Sequence, residues 1–392
     1  MTNGMNTGMR ILVQKFGGTS LSTRHARTEA VRHIKRALNE GYEVVIVVSA
    51  MGRNGDPYAT DSLLSLVNEN GGSLPLRERD MLLSCGELIS ASVMCSLLAA
   101  QGIASTVLTG GQAGIRTDGR YGDARICKVI GERVIDRLKQ GLTVIVTGFQ
   151  GQSDEGELTT LGRGGSDTTA TALGAALQAE AVEIYTDVEG ILTADPKIVY
   201  DAKPVSHISY EEVCNMANFG AKVIHPRAVE IAMQAQVPIH IRSTFSETDG
   251  TWVTHAHISK TNRTVADRYV TGIAQTEDIT QIHVDAGGAQ DLHAQVNISV
   301  DFINVNPSSI IYTVHDHDAT AALKILKRLG IAAKSKPNCA KVAVIGGGIN
   351  GVPGIMSAIV TSLAEKQIPI LQAADSNTTI WVLVNRSDMK SA

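Results

Sequence analysis

At 392 residues, with 43% hydrophobic and 19% charged side chains, the chain has room for two or three compact domains and the composition of an ordinary globular protein, not a disordered or fibrous one. A formal net charge of -4 and a pI near 6.3 argue against a general nucleic-acid or anionic-membrane binder, and aromatic residues at 4% leave little stacking surface for bases. Five widely spaced cysteines without a C-x-x-C pair suggest neither a disulfide framework nor a zinc site, no run approaches the roughly 18 apolar residues of a membrane span, and residues 1 to 9 read as a frayed extension, so the expectation is a soluble, cytoplasmic protein whose partners are small solutes.

In chain order, short runs rich in Val and Ile predict strands over Arg10 to Phe16, Glu43 to Ser49, Thr143 to Phe149, Val182 to Asp187 and Pro238 to Arg242. Helices are predicted between them, over 24–40, 78–101, 166–179 and 221–236. Such alternation implies an α/β architecture over residues 10–262, a mostly parallel sheet sandwiched by helices. Beyond about residue 262 the elements shorten, and two stretches resemble each other. One runs through IHVD, VNISVDFINV and SIIYTVHD into a helix at 318–329; the other runs through KVAVIG, a helix at 354–366, IPILQAAD and TTIWVLVN. They read as two small α+β modules, 263–336 and 337–392.

Chemistry concentrates where predicted strands end. Lys15-Phe16-Gly17-Gly18-Thr19-Ser20 follows the strand residues Ile11 to Gln14. Paired glycines let backbone N–H groups approach an anion, and Lys15 adds a full positive charge, so the segment can cradle phosphate. It is not a Walker A loop, since no G-x-x-x-x-G-K-[ST] occurs in the chain, and a Gly-Gly turn with a solvated lysine reads the same residues. Gly162-Arg163-Gly164-Gly165-Ser166-Asp167-Thr168 leads into an Ala-rich helix and again builds an anion site at a helix start. Capping explains Ser166 and Asp167 equally well, but not an arginine among three glycines, whose fork can hold a carboxylate. Thr186-Asp187-Val188-Glu189-Gly190, Thr193-Ala194-Asp195-Pro196 and Gly220-Ala221-Lys222-Val223-Ile224-His225-Pro226 read singly as turns; in an open α/β sheet Asp187 would fall beyond a strand's carboxyl end, where ligands bind.

Taken together, KFGGTS, VSAMG, SCGE, GRGGSDT, TDVEG, TADP and FGAKVIHPRA stand in the order and approximate spacing of the aspartokinase family. The resemblance runs from about residue 10 to the chain end and is strongest to the family's Bacillus-type branch, whose regulator is diaminopimelate. It implies an amino-acid-kinase fold followed by two ACT-like modules, and the conversion of ATP and L-aspartate to 4-phospho-L-aspartate and ADP, which opens the route to diaminopimelate, lysine, threonine and methionine. By the same resemblance Lys15 and Lys222 stabilise charge on the transferring phosphates and Asp167 orients them. Arg163 clamps the substrate α-carboxylate, Glu87 pairs with its α-ammonium, and Thr60, Ser166 and the Gly164-Gly165 backbone add contacts. Phe16, Gly17, Gly18, Ser49, Thr186, Asp187 and the segment Thr193, Ala194, Asp195, Pro196, Lys197 line the ATP pocket. Mg²⁺ bridges the phosphates, with no protein ligand assigned. His225, beside Pro226 at a helix-like start, reads as structural.

Gly346-Gly347-Gly348-Ile349-Asn350-Gly351 formally matches G-x-G-x-x-G, but the last 50 residues lack the framework of a dinucleotide fold. The resemblance makes this the strand-to-helix loop of an ACT module, with Gly348, Asn350, Gly351, Val352 and Pro353 as candidates to hold an amino-acid effector: diaminopimelate, lysine or threonine. It also implies a homo-oligomer, a dimer through the ACT modules. Two departures from the family pattern stand out. Residues 285–297 leave no room for a three-turn helix in the first module, and the chain stops soon after Val384; altered feedback or assembly is the expectation. The rival readings are a related kinase acting on glutamate or acetylglutamate, and a non-catalytic effector sensor.

Overall fold

Val44 to Val48 are fully buried, as are Val144 to Val146, and unbroken apolar runs of this kind are what a strand covered on both faces requires. In the computed structural model, which describes residues 8–68, 74–221, 223–255, 269–285, 302–306, 308–349 and 352–392, the chain divides into two compact units. The first holds residues up to Thr193, then Lys203–Ala217 and Lys222–Thr264; the second holds Ala194–Ala202, Asn218–Ala221 and Val265–Ala392.

The first unit is built on an eight-stranded sheet. Its strands are β1 (Ile11–Phe16), β2 (Glu43–Val48), β3 (Ser105–Leu108), β6 (Thr143–Thr147), β9 (Ala181–Thr186), β10 (His207–Ser209), β11 (Ile239–Ser243) and β12 (Thr251–Thr254). They lie in the order β10-β12-β11-β9-β1-β2-β6-β3, and every pairing is parallel except β11 with β12. On one face pack α2 (Arg24–Asn39) and α4 (Leu76–Ala99), whose Ala30, Ile34, Ala91, Met94 and Leu98 share a core with Leu12, Phe16, Ile46 and Tyr185. α6 (Gly165–Leu177) packs on β1 and β9 and against α8 (Pro226–Ala235). Shorter helices α1 (Gly18–Leu21), α3 (Thr60–Asn68), α5 (Glu132–Lys139) and α7 (Tyr210–Asn218) fill the connections.

Three features differ from the sequence expectation. A second, four-stranded sheet, β5-β4-β7-β8, is formed by β4 (Ile115–Thr117), β5 (Ile126–Val129), β7 (Gln150–Gln152) and β8 (Leu158–Thr160), strands too short to show a period. The helix expected over 221–236 begins only at Pro226, because His225 caps it and Pro226 takes the first helical position. α4 is long and apolar enough to cross a membrane, with a mean hydropathy of 1.7 over its most apolar stretch. Ser and Gly among its apolar residues hide it from a search for consecutive ones. Here it is a core helix that buries Leu83, Ala91, Met94 and Leu98 and also Asp80 and Glu87.

The second unit is an antiparallel sheet of six strands, β14-β15-β13-β16-β18-β17. These are β13 (Gly272–Asp285), β14 (Phe302–Asn306), β15 (Ser309–His315), β16 (Ala333–Ile345), β17 (Gln372–Asp375) and β18 (Thr379–Asn385). Two three-stranded halves join along β13 and β16, each with its own core. Ile282, Val284, Tyr312 and Val314 pack against Ala322 and Leu326 of α9 (Asp316–Arg328), and Val342, Val382 and Val384 pack against Leu363 of α10 (Ile355–Glu365). The expected division at 336/337 falls at the register shift of β16, next to Asn338 at φ 57°. The segment of the first module expected to lack a helix, beyond Asp285, lies outside the described residues.

Candidate active site

Three neighbouring strands of the main sheet, β1, β2 and β6, end at the same edge, and the chain order reverses between β1 and β9. That is where an open α/β sheet presents a crevice. A cavity of about 390 Å³ lies there, lined by Lys15 near the end of β1 and Gly18 just after it, Ser49, Ala50 and Gly52 after β2, Thr60 of α3, Glu87 of α4, Phe149 after β6, and the run Gly162 to Asp167 that enters α6. Ten of the residues singled out by sequence therefore meet in one place: Lys15, Gly18, Ser49, Thr60, Glu87, Arg163, Gly164, Gly165, Ser166 and Asp167.

The loops are laced together by backbone bonds. The Ser49 N–H donates to the Phe16 carbonyl at 3.1 Å, Gly52 N–H to the Gly18 carbonyl at 3.0 Å, and Gly148 N–H to the Val48 carbonyl at 2.9 Å. Gly18 allows this approach, since a Cβ there would stand 2.4 Å from the Gly52 carbonyl oxygen. Gly164 is in the left-handed region at φ 66° and meets the His225 ring, so it too must lack a side chain.

Electrostatics define what the cavity can hold. Lys15 Nζ lies 2.7 Å from Asp167 Oδ1, and both side chains are largely buried. Glu87 is 2% exposed; its Oε1 accepts the Ala50 N–H at 3.0 Å while Oε2 has no partner among the described residues. Burial pushes its carboxyl up to about 8, against the opposing pull of the Ala50 N–H. Arg163, exposed at the rim, forms no ion pair with another described residue. An unpartnered buried carboxyl oxygen beside an unpaired guanidinium fits the two charged ends of an α-amino acid, and Lys15 with the backbone at Gly18 fits an anion such as phosphate.

The other expected residues lie elsewhere. Phe16 is fully buried and stacks on Tyr185 at 4.8 Å between ring centroids, and the Gly17 N–H donates to the Tyr185 carbonyl. Thr186 is the last residue of β9 and Asp187 follows it, paired with Arg53. Thr193 belongs to the first unit and Ala194, Asp195, Pro196 and Lys197 to the second. Lys222, Asn350 and Gly351 lie outside the described residues. Gly348, Val352 and Pro353 are in the connection between β16 and α10, whose N-cap is Gly354. His225 accepts the Arg227 N–H as the cap of α8, the structural role expected of it. Gly52, within the VSAMG motif, and Phe149 have no role assigned from sequence; Phe149 is the last residue of a predicted strand and Gly52 lies three residues beyond the end of another, which is the signal that could have found them. Two larger cavities of about 480 and 560 Å³, one beside Arg116 and Arg133 and one along Arg32, Lys35 and Arg36, are lined by no buried charged residue, so chemistry and not size selects the site.

Residues 10–243 match the amino acid kinase family and residues 334–392 the ACT domain. Aspartokinase 1 of Bacillus subtilis (strain 168) is 52% identical over 98% of this chain and 97% of its own length. The chain belongs to the aspartokinase family. An aspartokinase of Geobacillus stearothermophilus is 37% identical over 98% of this chain and 95% of that protein. Among solved structures, E. coli aspartokinase III in complex with aspartate and ADP superposes with a TM-score of 0.80 at 25% identity, covering 97% of this chain and 98% of that one. The same enzyme in complex with lysine and aspartate gives 0.73. Aspartokinases are phosphotransferases acting on the aspartate carboxyl, so the expected fold and enzyme class both hold.

Proposed function

We propose that the chain transfers the γ-phosphoryl group of ATP to the side-chain carboxylate of L-aspartate, giving 4-phospho-L-aspartate and ADP. The observation that carries this reading is the meeting of the Lys15–Asp167 pair, Arg163 and the buried, half-unpartnered Glu87 in one cavity at the strand ends. Arg163 takes the α-carboxylate in a bidentate fork, Glu87 takes the α-ammonium, and Thr60 and Ser166 supply hydrogen bonds that fix the side chain's direction. Lys15 and the Gly18 backbone take the phosphates, with Lys222 as the second lysine and Ser49, Thr186 and Asp187 on the nucleotide side.

The substrate carboxylate, with a pKa of about 4, is already ionised at neutral pH, so no general base is needed. Its oxygen forms the new bond to γ-phosphorus in line with the bridging oxygen, which leaves with the electron pair as ADP. Lys15 neutralises charge on the equatorial oxygens, and Asp167 holds its ammonium in place. Mg²⁺ would neutralise the same phosphates. Asp167 is engaged by Lys15, and the ion is read as held by the phosphates and water.

The ACT match supports effector binding by the second unit, and lysine is bound in one of the E. coli aspartokinase III structures. We read the loop through Gly348, Val352 and Pro353 as the place for lysine, threonine or diaminopimelate, and the enzyme as a cytosolic homo-oligomer, a dimer through its ACT modules. Incubation with ATP and L-aspartate, trapping the acyl phosphate with hydroxylamine, tests the reaction. Hydroxamate from L-aspartate but not from glutamate or acetylglutamate is expected. None at all from folded, ATP-binding protein would overturn the catalytic reading in favour of an effector sensor.

A further inference from the structure

The loop that carries Arg163 leaves β8 at Thr160, and two charged side chains from separate helices grip its base. Asp80 of α4 is fully buried, and no ion pair reaches it among the described residues. Its Oδ2 accepts the Thr160 N–H at 2.7 Å and the Gly122 N–H at 2.9 Å, and its Oδ1 accepts the Thr160 hydroxyl at 2.8 Å. From the other side Arg227 of α8 donates Nη1 to the Leu161 carbonyl at 2.9 Å and Nη2 to the Ala124 carbonyl at 2.7 Å. The Ala124 N–H donates to the Thr160 carbonyl and the Leu161 N–H to the Phe149 carbonyl, so all four backbone polar groups of Thr160 and Leu161 are engaged.

A buried carboxylate without a cation is costly unless donors satisfy it, and here all three donors come from the segments that frame the loop. Charge-assisted bonds of this kind are short and directional, so they fix a backbone position more firmly than a neutral ladder bond does. Gly122 and Ala124 belong to the turn between β4 and β5, so the two side chains tie that turn and the loop base into one unit. Arg163 begins two residues beyond the last gripped carbonyl.

We propose that Asp80 and Arg227 are positioning residues: they set the place of Arg163 and thereby the affinity for the amino-acid substrate, while leaving the nucleotide side alone. This rests on Arg163 as the α-carboxylate clamp. An ångström of displacement at such a clamp is enough to cost affinity.

The test is steady-state kinetics of Asp80→Asn, Thr160→Val and Arg227→Lys, alone and combined with Arg163→Ala. Each single change is expected to raise KM for L-aspartate, about tenfold for Asp80→Asn and Arg227→Lys and less for Thr160→Val, with KM for ATP within about twofold. In the Arg163→Ala background the same changes should add less than about twofold, because residues acting through one group are not additive. Equal rises in both KM values, or full additivity with Arg163→Ala, would overturn the proposal and leave Asp80 and Arg227 as general scaffold. Should Asp80→Asn fail to fold, Thr160→Val, which removes one of the three donors, carries the same comparison. If Arg163→Ala leaves KM for L-aspartate unchanged, the clamp itself is wrong and this proposal falls with it, an outcome distinct from additivity.

Discussion

Glu87 is the residue of the site whose protonation departs furthest from the ordinary, and its energetics can be worked through. Burial raises the carboxyl from 4.5 to about 8 in the folded protein. Between those values the folded chain holds one proton that the unfolded chain has released, so stability falls as pH rises through this window. The slope is about 1.4 kcal/mol per pH unit, and the whole window amounts to on the order of 5 kcal/mol. Below 4.5 both states are protonated and above about 8 both are ionised, so the contribution is flat on either side. Glu87→Gln keeps the shape and cannot ionise. Urea unfolding of both proteins from acid to alkaline pH should therefore show the variant gaining on the wild type as pH rises through that window. An α-ammonium beside Oε2 favours the carboxylate, so L-aspartate binding near neutral pH should expel close to one proton. Calorimetry in buffers of different ionisation heat reads that number directly, and the release should fade above about pH 8. Parallel pH profiles for wild type and Glu87→Gln would show that Glu87 is already ionised in the fold. With the pH profiles diverging as expected, binding without proton release would remove it from the ammonium site.

Lys15→Ala should lower kcat about 10²- to 10³-fold in a coupled ADP assay with the far-UV spectrum unchanged, because it removes charge stabilisation that the transition state needs. Asp167→Asn leaves the Lys15 ammonium without its 2.7 Å partner and should lower kcat at least about tenfold with ATP binding retained, measured by nucleotide titration. Gly164→Ala forces a Cβ into the His225 ring at a left-handed φ and should cost about 1–3 kcal/mol in urea unfolding while raising KM for L-aspartate. His33 is buried with Nε2 bonded to the Thr244 carbonyl, and burial lowers it from 6.5 to about 4. The unfolded chain binds more protons there, so stability is lost as pH falls through that window, and His33→Gln should flatten the acid limb of the stability curve.

How much of this was open to a reader of the sequence follows from where each residue sits. The five predicted strands of the main sheet were legible because parallel strands buried on both faces are unbroken apolar runs, Val44 to Val48 above all. The same apolarity conceals what interrupts it. Gln14, Glu183 and Arg242 lie on β1, β9 and β11, and form a buried cluster in which Gln14 donates to Glu183 at 2.8 Å and Arg242 stands 3.2 Å from it. No local pattern predicts that cluster, since its members pair only once the strands are side by side. The helix start at Pro226 was legible too, in the proline itself, but apolar spacing from residue 221 argued for a longer helix and the cap had to be seen.

The residues assigned to touch substrate were the most legible of all, and the reason is geometric. Groups that meet a small anion at a sheet edge must follow strands and sit among glycines, so Lys15, Gly18 and Arg163 advertise themselves locally. What holds them does not. Asp80 reaches Thr160 across 80 residues and Arg227 reaches Ala124 across 103, each from an ordinary helical position. Glu87 sits mid-helix in α4; burial in the folded core raises its carboxyl, and the bond it accepts comes from Ala50, 37 residues earlier. A motif therefore records the part of a site that contacts ligand, and the long-range bonds that give those contacts their strength become visible only when the chain has folded.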